Sequence, residues 1–227
     1  MPLEIIFEND ILIAINKPHG LLVHRTRIAA DAEEFALQLL RDQTGQRVYP
    51  AHRLDRKTSG VLLFAKTPEA NSTIQRLFRE RLVTKVYKAV VRGWIPQEGV
   101  IDYAIGENGK TQAAQTTYQL IQKFELNIPS GKHLTSRYSL VTLTPHTGRY
   151  HQLRKHLAHI FHPIIGDRPH GCNKQNKIWK ERFGMTKMLL HAEQIRFELP
   201  EYGMIDIWAD KSDEFQRVIL LLNETSK

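Results

Sequence analysis

The sequence predicts a mixed, largely antiparallel α+β domain in which helices flank a sheet. Short segments rich in Val, Ile, Thr and Tyr recur along the 227 residues, and only a few segments have the periodicity and capping residues of helices. No internal repeat, low-complexity tract or long linker divides the chain. We therefore expect a single domain over residues 1–227, with two coupled subdomains as the alternative.

The composition is basic and contains little cysteine. Lys and Arg outnumber Asp and Glu by 32 to 24, which gives a net charge of +8. Such an excess attracts polyanions, and nucleic acid is the commonest soluble one, although many basic proteins only carry a solvated basic face. Cys172 is the only cysteine, which excludes an intramolecular disulfide and a thiolate-rich zinc site. No apolar run approaches the roughly 20 residues of a membrane span, and no signal peptide is apparent. We expect a cytoplasmic protein without membrane contact.

Strands and a helix alternate in the first part of the chain. Residues 3–7 and 11–15 have strand composition, and the Pro-His-Gly turn at 18–20 leads into an apolar segment that we expect to be a strand. Asp31 and Glu34 have the spacing of a capping box, which predicts a helix to about residue 43.

The next part of the chain is predicted to contain a buried strand, a helix and a second strand. Residues 61–65 form a continuous apolar run, which is typical of a buried strand. The Thr-Pro-Glu sequence at 67–69 supplies an N-cap, a proline at the first helical position and an acid in the first turn. Residues 85–94 have strand composition, and their alternation places Tyr87 on the same face as Ala89.

The second half of the chain is predicted to contain further strands, two helices and two loops. The strands lie near 100–105, 113–121, 138–144, 188–198 and 204–208. One helix begins at 147–149 and carries an apolar stripe that ends at Phe161, and the other is capped by Ser212. The polar segments 122–137 and 166–187 are predicted to be loops, and the second has the basic composition and length of a functional loop.

Two patterns that suggest phosphate or metal binding have simpler explanations. Residues 106–111 resemble the end of a P-loop, but Ala104 stands where that motif needs a glycine, so we expect a hairpin turn. Four histidines lie between residues 151 and 162, yet the only acid near them is Asp167. A zinc site needs several convergent ligands with supporting carboxylates, so we expect a basic helix facing a polyanion and no bound metal.

The segment 52–60 holds one carboxylate, Asp55, among four basic side chains. Because Arg53 and Arg56 flank it, Asp55 should stay ionised at neutral pH. The charge pattern alone favours an ordinary turn with surface ion pairs. Glycoside hydrolysis needs a second carboxylate opposite the first, and no such acid stands out. A lone ionised acid in a basic groove suits nucleophilic or general-base chemistry on an RNA nucleotide better.

Motifs in order along residues 4–208 resemble those of the RluA-type pseudouridine synthases. They are a Lys-Pro motif at 17–24, a His-Arg-Leu-Asp motif at 52–60, a tyrosine strand at 85–93, an arginine helix at 147–156 and two later segments at 162–167 and 189–192. The resemblance implies the catalytic fold of that family, with a central active-site cleft and no separate N-terminal RNA-binding module. Within the family, the chain is most similar to the enzymes that modify uridine 65 of the tRNA T-stem.

The resemblance also implies roles for individual residues. Asp55 would break and re-form the glycosidic link, Tyr87 would stack on the flipped uracil, and Arg154 would pair with Asp55. Arg53 would fill the gap that the flipped base leaves, and His52 would form part of the pocket wall. The catalytic set is thus Asp55, Tyr87 and Arg154, and the RNA-binding set is Arg53, His52, Arg56, Arg149, His151, Lys174 and Lys177.

The implied reaction breaks an N-glycosidic bond and rejoins uracil through carbon, without oxidation or group transfer. The resemblance therefore implies neither cofactor nor metal. We expect a monomer that binds tRNA without an obligate protein partner. Two alternatives stay open: an RluA-type enzyme acting on ribosomal RNA or on both RNAs, and a non-catalytic RNA-binding or folding protein. The intact set of Asp55, Tyr87 and Arg154 argues against the second.

Overall fold

The structure, a computed structural model, describes residues 2–24, 34–107 and 109–226. Its strands are β1 (Ile5–Glu8), β2 (Leu12–Lys17), β3 (Tyr49–Pro50), β4 (Ser59–Ala65), β5 (Thr84–Arg92), β6 (Glu98–Asp102), β7 (Ile105–Glu107), β8 (Lys110–Gln112), β9 (Gln115–Leu126), β10 (Ser136–Pro145), β11 (Leu190–Leu199) and β12 (Gly203–Trp208). Its helices are α1 (Ala36–Thr44), α2 (Pro68–Arg79), α3 (Gln152–His159), α4 (Asn173–Phe183) and α5 (Asp213–Thr225). No helix within the described residues is long and apolar enough to cross a bilayer.

Backbone proximity divides the chain into two compact units. The first consists of Met1–Lys85 and Ala192–Lys211, and the second consists of Val86–His191 and Ser212–Lys227. That residues 1–227 act as a single catalytic domain, with two coupled subdomains as the alternative, stays a prediction.

The first unit contains a sheet with the strand order β1-β2-β4-β11, to which β3 adds at β4 and β12 at β11. β1 with β2, β2 with β4, and β11 with β12 pair antiparallel. β4 is buried along its whole length, as the apolar run at 61–65 predicted. The predicted helix start at 67–69 is confirmed, because the Thr67 hydroxyl accepts a hydrogen bond from the Ala70 amide at 3.1 Å. Ile74 of α2 then packs into the core of this unit.

The second unit contains antiparallel strands in the order β5-β10-β9-β6. β5 alternates as predicted, because Tyr87 packs against an apolar cluster that includes α3, whereas Val90 belongs to a cluster that includes α4 and α5. α5 begins at the predicted cap, where the Ser212 hydroxyl accepts from the Phe215 amide at 3.4 Å. β7 and β8 pair as the predicted hairpin. The mixed, largely antiparallel α+β fold is therefore confirmed.

The prediction of a loop over 166–187 is wrong, because α4 occupies 11 of these residues. Trp179 is fully buried in the core of the second unit, and Gln175, one turn earlier, is buried as well. Gly184 ends the helix in the left-handed conformation, with a φ of 65°. The basic residues obscured this helix in the sequence, since they occupy its solvent-facing side and dominate its composition.

The prediction of a loop over 122–137 is wrong at both ends. β9 extends to Leu126 and β10 begins at Ser136, and these two residues pair directly. Phe124 and Leu126 are buried, whereas the polar residues between and before them face outward. Pairing with β10 and burial on one face therefore overcome the weak strand propensity of this polar segment.

The helix predicted to begin at 147–149 begins instead at Gln152 and ends at His159. Leu153 of its predicted apolar stripe is buried. Phe161 does not belong to the stripe, because it lies beyond the helix end with a φ of 63° and is 84% exposed.

Two expectations for the N-terminal part also need revision. The segment after the turn at 18–20 is not a strand, since Leu22 forms only an isolated bridge with Phe35. Phe35 is the N-cap of α1, and its side chain makes no capping hydrogen bond. Asp31, which was expected to cap this helix, lies outside the described residues.

Gly60 ends the Asp55 motif at a position that requires glycine. Its φ is +108°, and a Cβ at this position would collide with the backbone of Ala192 in the neighbouring strand. We expect Gly60→Ala to lower the free energy of unfolding by about 2 kcal/mol or more, measured by urea denaturation. Gly106→Ala is the matched control, because nothing lies near its added Cβ. Equal stability of the two variants would contradict this account.

Candidate active-site residues

Asp55 lies in a turn of the first unit between β3 and β4. Its backbone carbonyl accepts a hydrogen bond from the Thr58 amide at 3.0 Å. The side chains of Leu54 and Thr58 are buried, whereas the Asp55 side chain is half-buried. The turn therefore anchors its neighbours inside the unit and leaves the carboxylate partly accessible.

Arg56 joins this turn to the segment that follows β2. The Gly20 amide donates to the Arg56 carbonyl at 2.8 Å, and Arg56 Nε donates to the Gly20 carbonyl at 3.0 Å. Gly20 has a φ of +95°, which favours glycine. The Lys-Pro and His-Arg-Leu-Asp motifs, which are distant in sequence, thus form one hydrogen-bonded structure.

Lys17, the last residue of β2, ties these two segments together, and sequence analysis assigned it no role. Its fully buried ammonium group donates to the carbonyls of Pro18 and Leu21, both at 2.8 Å, and of Arg56 at 3.3 Å. An ammonium group has three donors, so these three acceptors satisfy it. Burial lowers the pKa of Lys17 from 10.5 to about 7, and the charge of Asp55 partly opposes this shift. The signal in the sequence was a lysine on the buried face of an apolar strand.

His52 is a neutral part of the same structure. Its Nε2 accepts a hydrogen bond from the Leu63 amide at 3.1 Å, so the ring proton resides on Nδ1. The ring lies 5.3 Å from that of Phe78, centroid to centroid. Burial and the positive charge of Lys85 lower the pKa of His52 to about 4. An imidazole that is neutral at pH 7 suits the predicted pocket wall better than a phosphate contact.

Tyr87 lies near the start of β5 in the second unit, opposite Leu143 of β10. Its side chain is half-buried and packs against the apolar cluster that includes Leu153 of α3. A tyrosine in this setting offers an aromatic surface together with a hydroxyl group. Stacking of its ring on uracil stays a prediction.

Arg154 forms a buried ion pair that sequence analysis did not assign. Its Nε and Nη2 donate to the two carboxylate oxygens of Asp167, each at 2.8 Å. The side chains are only 4% and 1% exposed. This side-on pair engages Nε and Nη2 of the guanidinium group, and it fixes the plane of the group relative to Asp167. The predicted pairing of Arg154 with Asp55 stays a prediction.

A histidine pair lies next to this ion pair. Nδ1 of His151 and Nε2 of His170 are 2.9 Å apart, so one of them donates and the other accepts. His151 has a φ of 56°, which is uncommon for a residue other than glycine. The ring of Tyr150 stacks on it at 3.7 Å. The His170 amide donates to the Asp167 carboxylate at 3.3 Å, which links the histidine pair to the Arg154 ion pair.

The lysines predicted to contact RNA lie on a helix. Lys174 and Lys177 are exposed on α4, and Lys177 pairs with Glu181 at 3.7 Å, with side chains 72% and 61% exposed. Arg149 is half-buried and donates from Nε to the Ala113 carbonyl at 3.2 Å. RNA contacts stay a prediction for these residues and for Arg53, His52, Arg56 and His151.

Two of the histidines between 151 and 162 form hydrogen bonds with backbone carbonyl groups. His156 is fully buried, and its Nε2 donates to the Tyr103 carbonyl at 2.9 Å. His162 Nδ1 donates to the Arg92 carbonyl at 2.9 Å. Within residues 2–24, 34–107 and 109–226, no three His, Cys, Asp or Glu side chains are placed to hold a metal ion.

The Lys17 ammonium group should make stability depend on pH. Its pKa is about 7 in the folded state and 10.5 in the unfolded state, so the unfolded state binds more protons between these values. Its contribution to the free energy of unfolding therefore rises from about pH 7 to about pH 10, by on the order of 3 kcal/mol.

We expect Lys17→Met to remove this rise. At pH 9 Lys17 is a neutral amine with two N–H donors, so the variant should be less stable than the wild type by about 2 kcal/mol, because two carbonyls lose their donor. Urea denaturation of both proteins between pH 6 and 10 measures both effects. Parallel stability curves for the two proteins would contradict the assignment of the titration to Lys17.

The Arg154–Asp167 pair should be essential for stability. Asp167→Ala leaves a buried guanidinium group without its carboxylate, which costs about 3–5 kcal/mol. The matched control is Glu181→Ala, which breaks an exposed ion pair and should cost less than about 1 kcal/mol. Chemical denaturation distinguishes the two variants, and a small loss for Asp167→Ala would disprove the structural role of the pair.

Comparison with known sequences identifies the family. The family model described as RNA pseudouridylate synthase matches residues 11–159. A relative from Vibrio parahaemolyticus, named tRNA pseudouridine synthase C, is 44% identical over 210 residues, which cover 87% of this chain and 85% of the relative. A relative of the same name from Salmonella typhimurium is 42% identical, with 88% and 82% of the two chains covered.

Comparison with solved structures agrees with the sequence match. Human RNA Pseudouridylate Synthase Domain Containing 4 has a TM-score of 0.73 and 26% identity, with 97% of this chain and 93% of that chain covered. Human RNA Pseudouridylate Synthase Domain Containing 1 has a TM-score of 0.74 and 24% identity, with 99% and 96% covered, and thus shows the shared fold. The chain therefore belongs to the RNA pseudouridylate synthase family, as its resemblance to the RluA-type enzymes predicted.

Proposed function

We propose that this protein isomerises a uridine of tRNA to pseudouridine, with position 65 in the T-stem as the target. The observation that carries the proposal is the similarity to relatives named tRNA pseudouridine synthase C, which are more than 40% identical over most of both chains. The net charge of +8 suits a polyanionic substrate.

In this proposal, Asp55 acts on the target nucleotide as a nucleophile or a general base. The N-glycosidic bond breaks, the uracil turns within the site, and a carbon–carbon bond to the ribose replaces the carbon–nitrogen bond. The displaced proton of the uracil carbon leaves and a proton returns to nitrogen, so the product is an isomer. Because the reaction needs no redox partner or group donor, we propose that no cofactor or metal takes part.

Arg154 supports Asp55 in the proposed mechanism by pairing with its carboxylate and fixing its orientation. Its buried pair with Asp167 holds the guanidinium plane in one orientation. Arg154 therefore acts on the reacting carboxylate with a preformed geometry, and little side-chain entropy is lost when the substrate binds.

The uridine must leave the base stack before Asp55 can reach it, which costs a few kcal/mol. Arg53 is exposed and fills the space that the base leaves, since a guanidinium group both stacks and hydrogen-bonds. Tyr87 stacks on the flipped uracil, an interaction worth about 1–3 kcal/mol per base in other proteins. Phosphate contacts come from the exposed cations Arg56, Lys174 and Lys177 and from the half-buried Arg149.

We further propose that the enzyme works as a cytoplasmic monomer. An RluA-type enzyme that acts on ribosomal RNA or on both RNAs is the second candidate, and the names of the relatives favour tRNA over it. A non-catalytic RNA-binding or folding protein is disfavoured, because Asp55, Tyr87 and Arg154 are all present.

The test is to map pseudouridines in RNA from cells with and without this protein. We expect one tRNA pseudouridine, at position 65, to disappear in its absence and to return with the wild-type gene. Asp55→Asn should restore nothing, while its purified protein binds tRNA within a few-fold of the wild-type affinity. Retained turnover in Asp55→Asn would remove Asp55 from the mechanism. Loss of a pseudouridine from ribosomal RNA alone would favour the second candidate.

A further inference from the structure

An open cavity of about 510 Å³ lies beside Arg53 in the first unit, and the proposed function assigns it no occupant. Its volume is within the range of roughly 300–1,000 Å³ that is typical of small-molecule sites. The residues that line it are His24, Leu37, Pro50, His52, Arg53 and Gln75.

The walls of this cavity come from several elements of the first unit. Leu37 belongs to α1, Pro50 to β3 and Gln75 to α2, whereas the other three lining residues lie outside helices and strands. Leu37 and Pro50 provide partly exposed apolar surface. Such a surface suits the face of a flat ring, which gains by leaving water.

The polar groups around the cavity suit the edge of a nucleobase. The Gln75 amide offers both a donor and an acceptor, and Arg53 offers only donors. His52 is neutral, because its pKa is about 4, and Nε2 is already bonded to the Leu63 amide. Among the described residues, the six that line the cavity include no acid.

The helix that supplies Gln75 also carries exposed cations. Arg79 lies one turn beyond Gln75 on the same face of α2, and Arg76 is exposed next to it. A nucleotide whose base enters the cavity would thus have positive charge available for its phosphate. An uncharged metabolite would gain nothing from these arginines.

We propose that this cavity binds a second unpaired RNA base, close in sequence to the target uridine, and so contributes to the choice of target. The proposal rests on the proposed function, because the occupant is a base of the substrate RNA. Arg53 connects the cavity with the site of the target uridine. A residue that enters the base stack displaces the neighbouring bases, and the cavity lies beside Arg53. The pocket reads RNA outside the reacting nucleotide and is a specificity site.

The test fills the cavity and removes the base in separate experiments. Gln75→Trp places a large side chain at the wall from an exposed helical position, and Gln75→Ala removes the amide without filling the space. Gln38→Trp is the matched control, because Gln38 is an exposed residue of α1 that does not line the cavity. Thermal unfolding shows whether the variants fold as the wild type does.

The RNA probes are tRNA T-arm hairpins with a single abasic nucleotide at each position near the target. Binding is measured by fluorescence anisotropy and pseudouridine formation by single-turnover assay. We expect one abasic position to weaken wild-type binding about tenfold, and Gln75→Trp to weaken binding of the intact hairpin by a similar factor. Gln75→Trp combined with that abasic hairpin should weaken binding no further than either change alone. Gln75→Ala should weaken binding less, and Gln38→Trp should leave binding unchanged.

The proposal is overturned if Gln75→Trp binds the intact hairpin as tightly as the wild type does. It is also overturned if the affinity losses caused by Gln75→Trp and by the abasic nucleotide multiply at every abasic position. Because anisotropy needs no turnover, the two proposals can fail separately. Position-specific coupling without any pseudouridine formation would leave the pocket in place and reject the proposed function. Pseudouridine formation without position-specific coupling would reject the pocket and leave the proposed function in place. Absence of binding to any hairpin would reject both proposals.

Discussion

The turn that carries Asp55 depends on the buried ammonium group of Lys17. That group donates to three backbone carbonyls, two in the segment after β2 and one, from Arg56, in the Asp55 turn. A cation without water is costly unless every donor is bonded, and burial accordingly lowers the pKa of Lys17 to about 7. The arrangement fixes the backbone of Arg56, the residue after the acid, to the segment that follows β2. Gly60 then allows β4 to pass close to Ala192.

A second buried charge organises the residues of the other unit. Arg154 is paired side-on with Asp167, whose carboxylate also accepts from the His170 amide. Asn176 of α4 in turn donates to the Asp167 carbonyl at 2.7 Å. Buried ion pairs of this kind often add little stability compared with apolar packing, but they fix the orientation of a side chain. For an arginine proposed to hold a reacting carboxylate, orientation is the useful property.

Elements that depend on one local signal were predictable from the sequence. The apolar run at 61–65, the cap at Thr67 and the alternation along β5 are each local, and the structure confirms them. The helix α4 and the ends of β9 and β10 were not predictable in this way, because the polar residues of their solvent-facing sides dominate the local composition. Trp179 and Phe124 are buried by elements that are distant in sequence. A local sequence pattern does not reveal which distant elements will cover a side chain.

The order and chemistry of the motifs were sufficient to determine the family, since each motif needs particular residue types at fixed spacing. Asp55, Tyr87 and Arg154 were identified in this way. Only the tertiary structure revealed that Asp167 is the bidentate partner of Arg154, that Lys17 supports the Asp55 turn, and that a cavity lies beside Arg53. The reason is physical: a side chain's partners, burial and pKa depend on atoms brought together by folding. Spacing along the chain specifies only which residues are available.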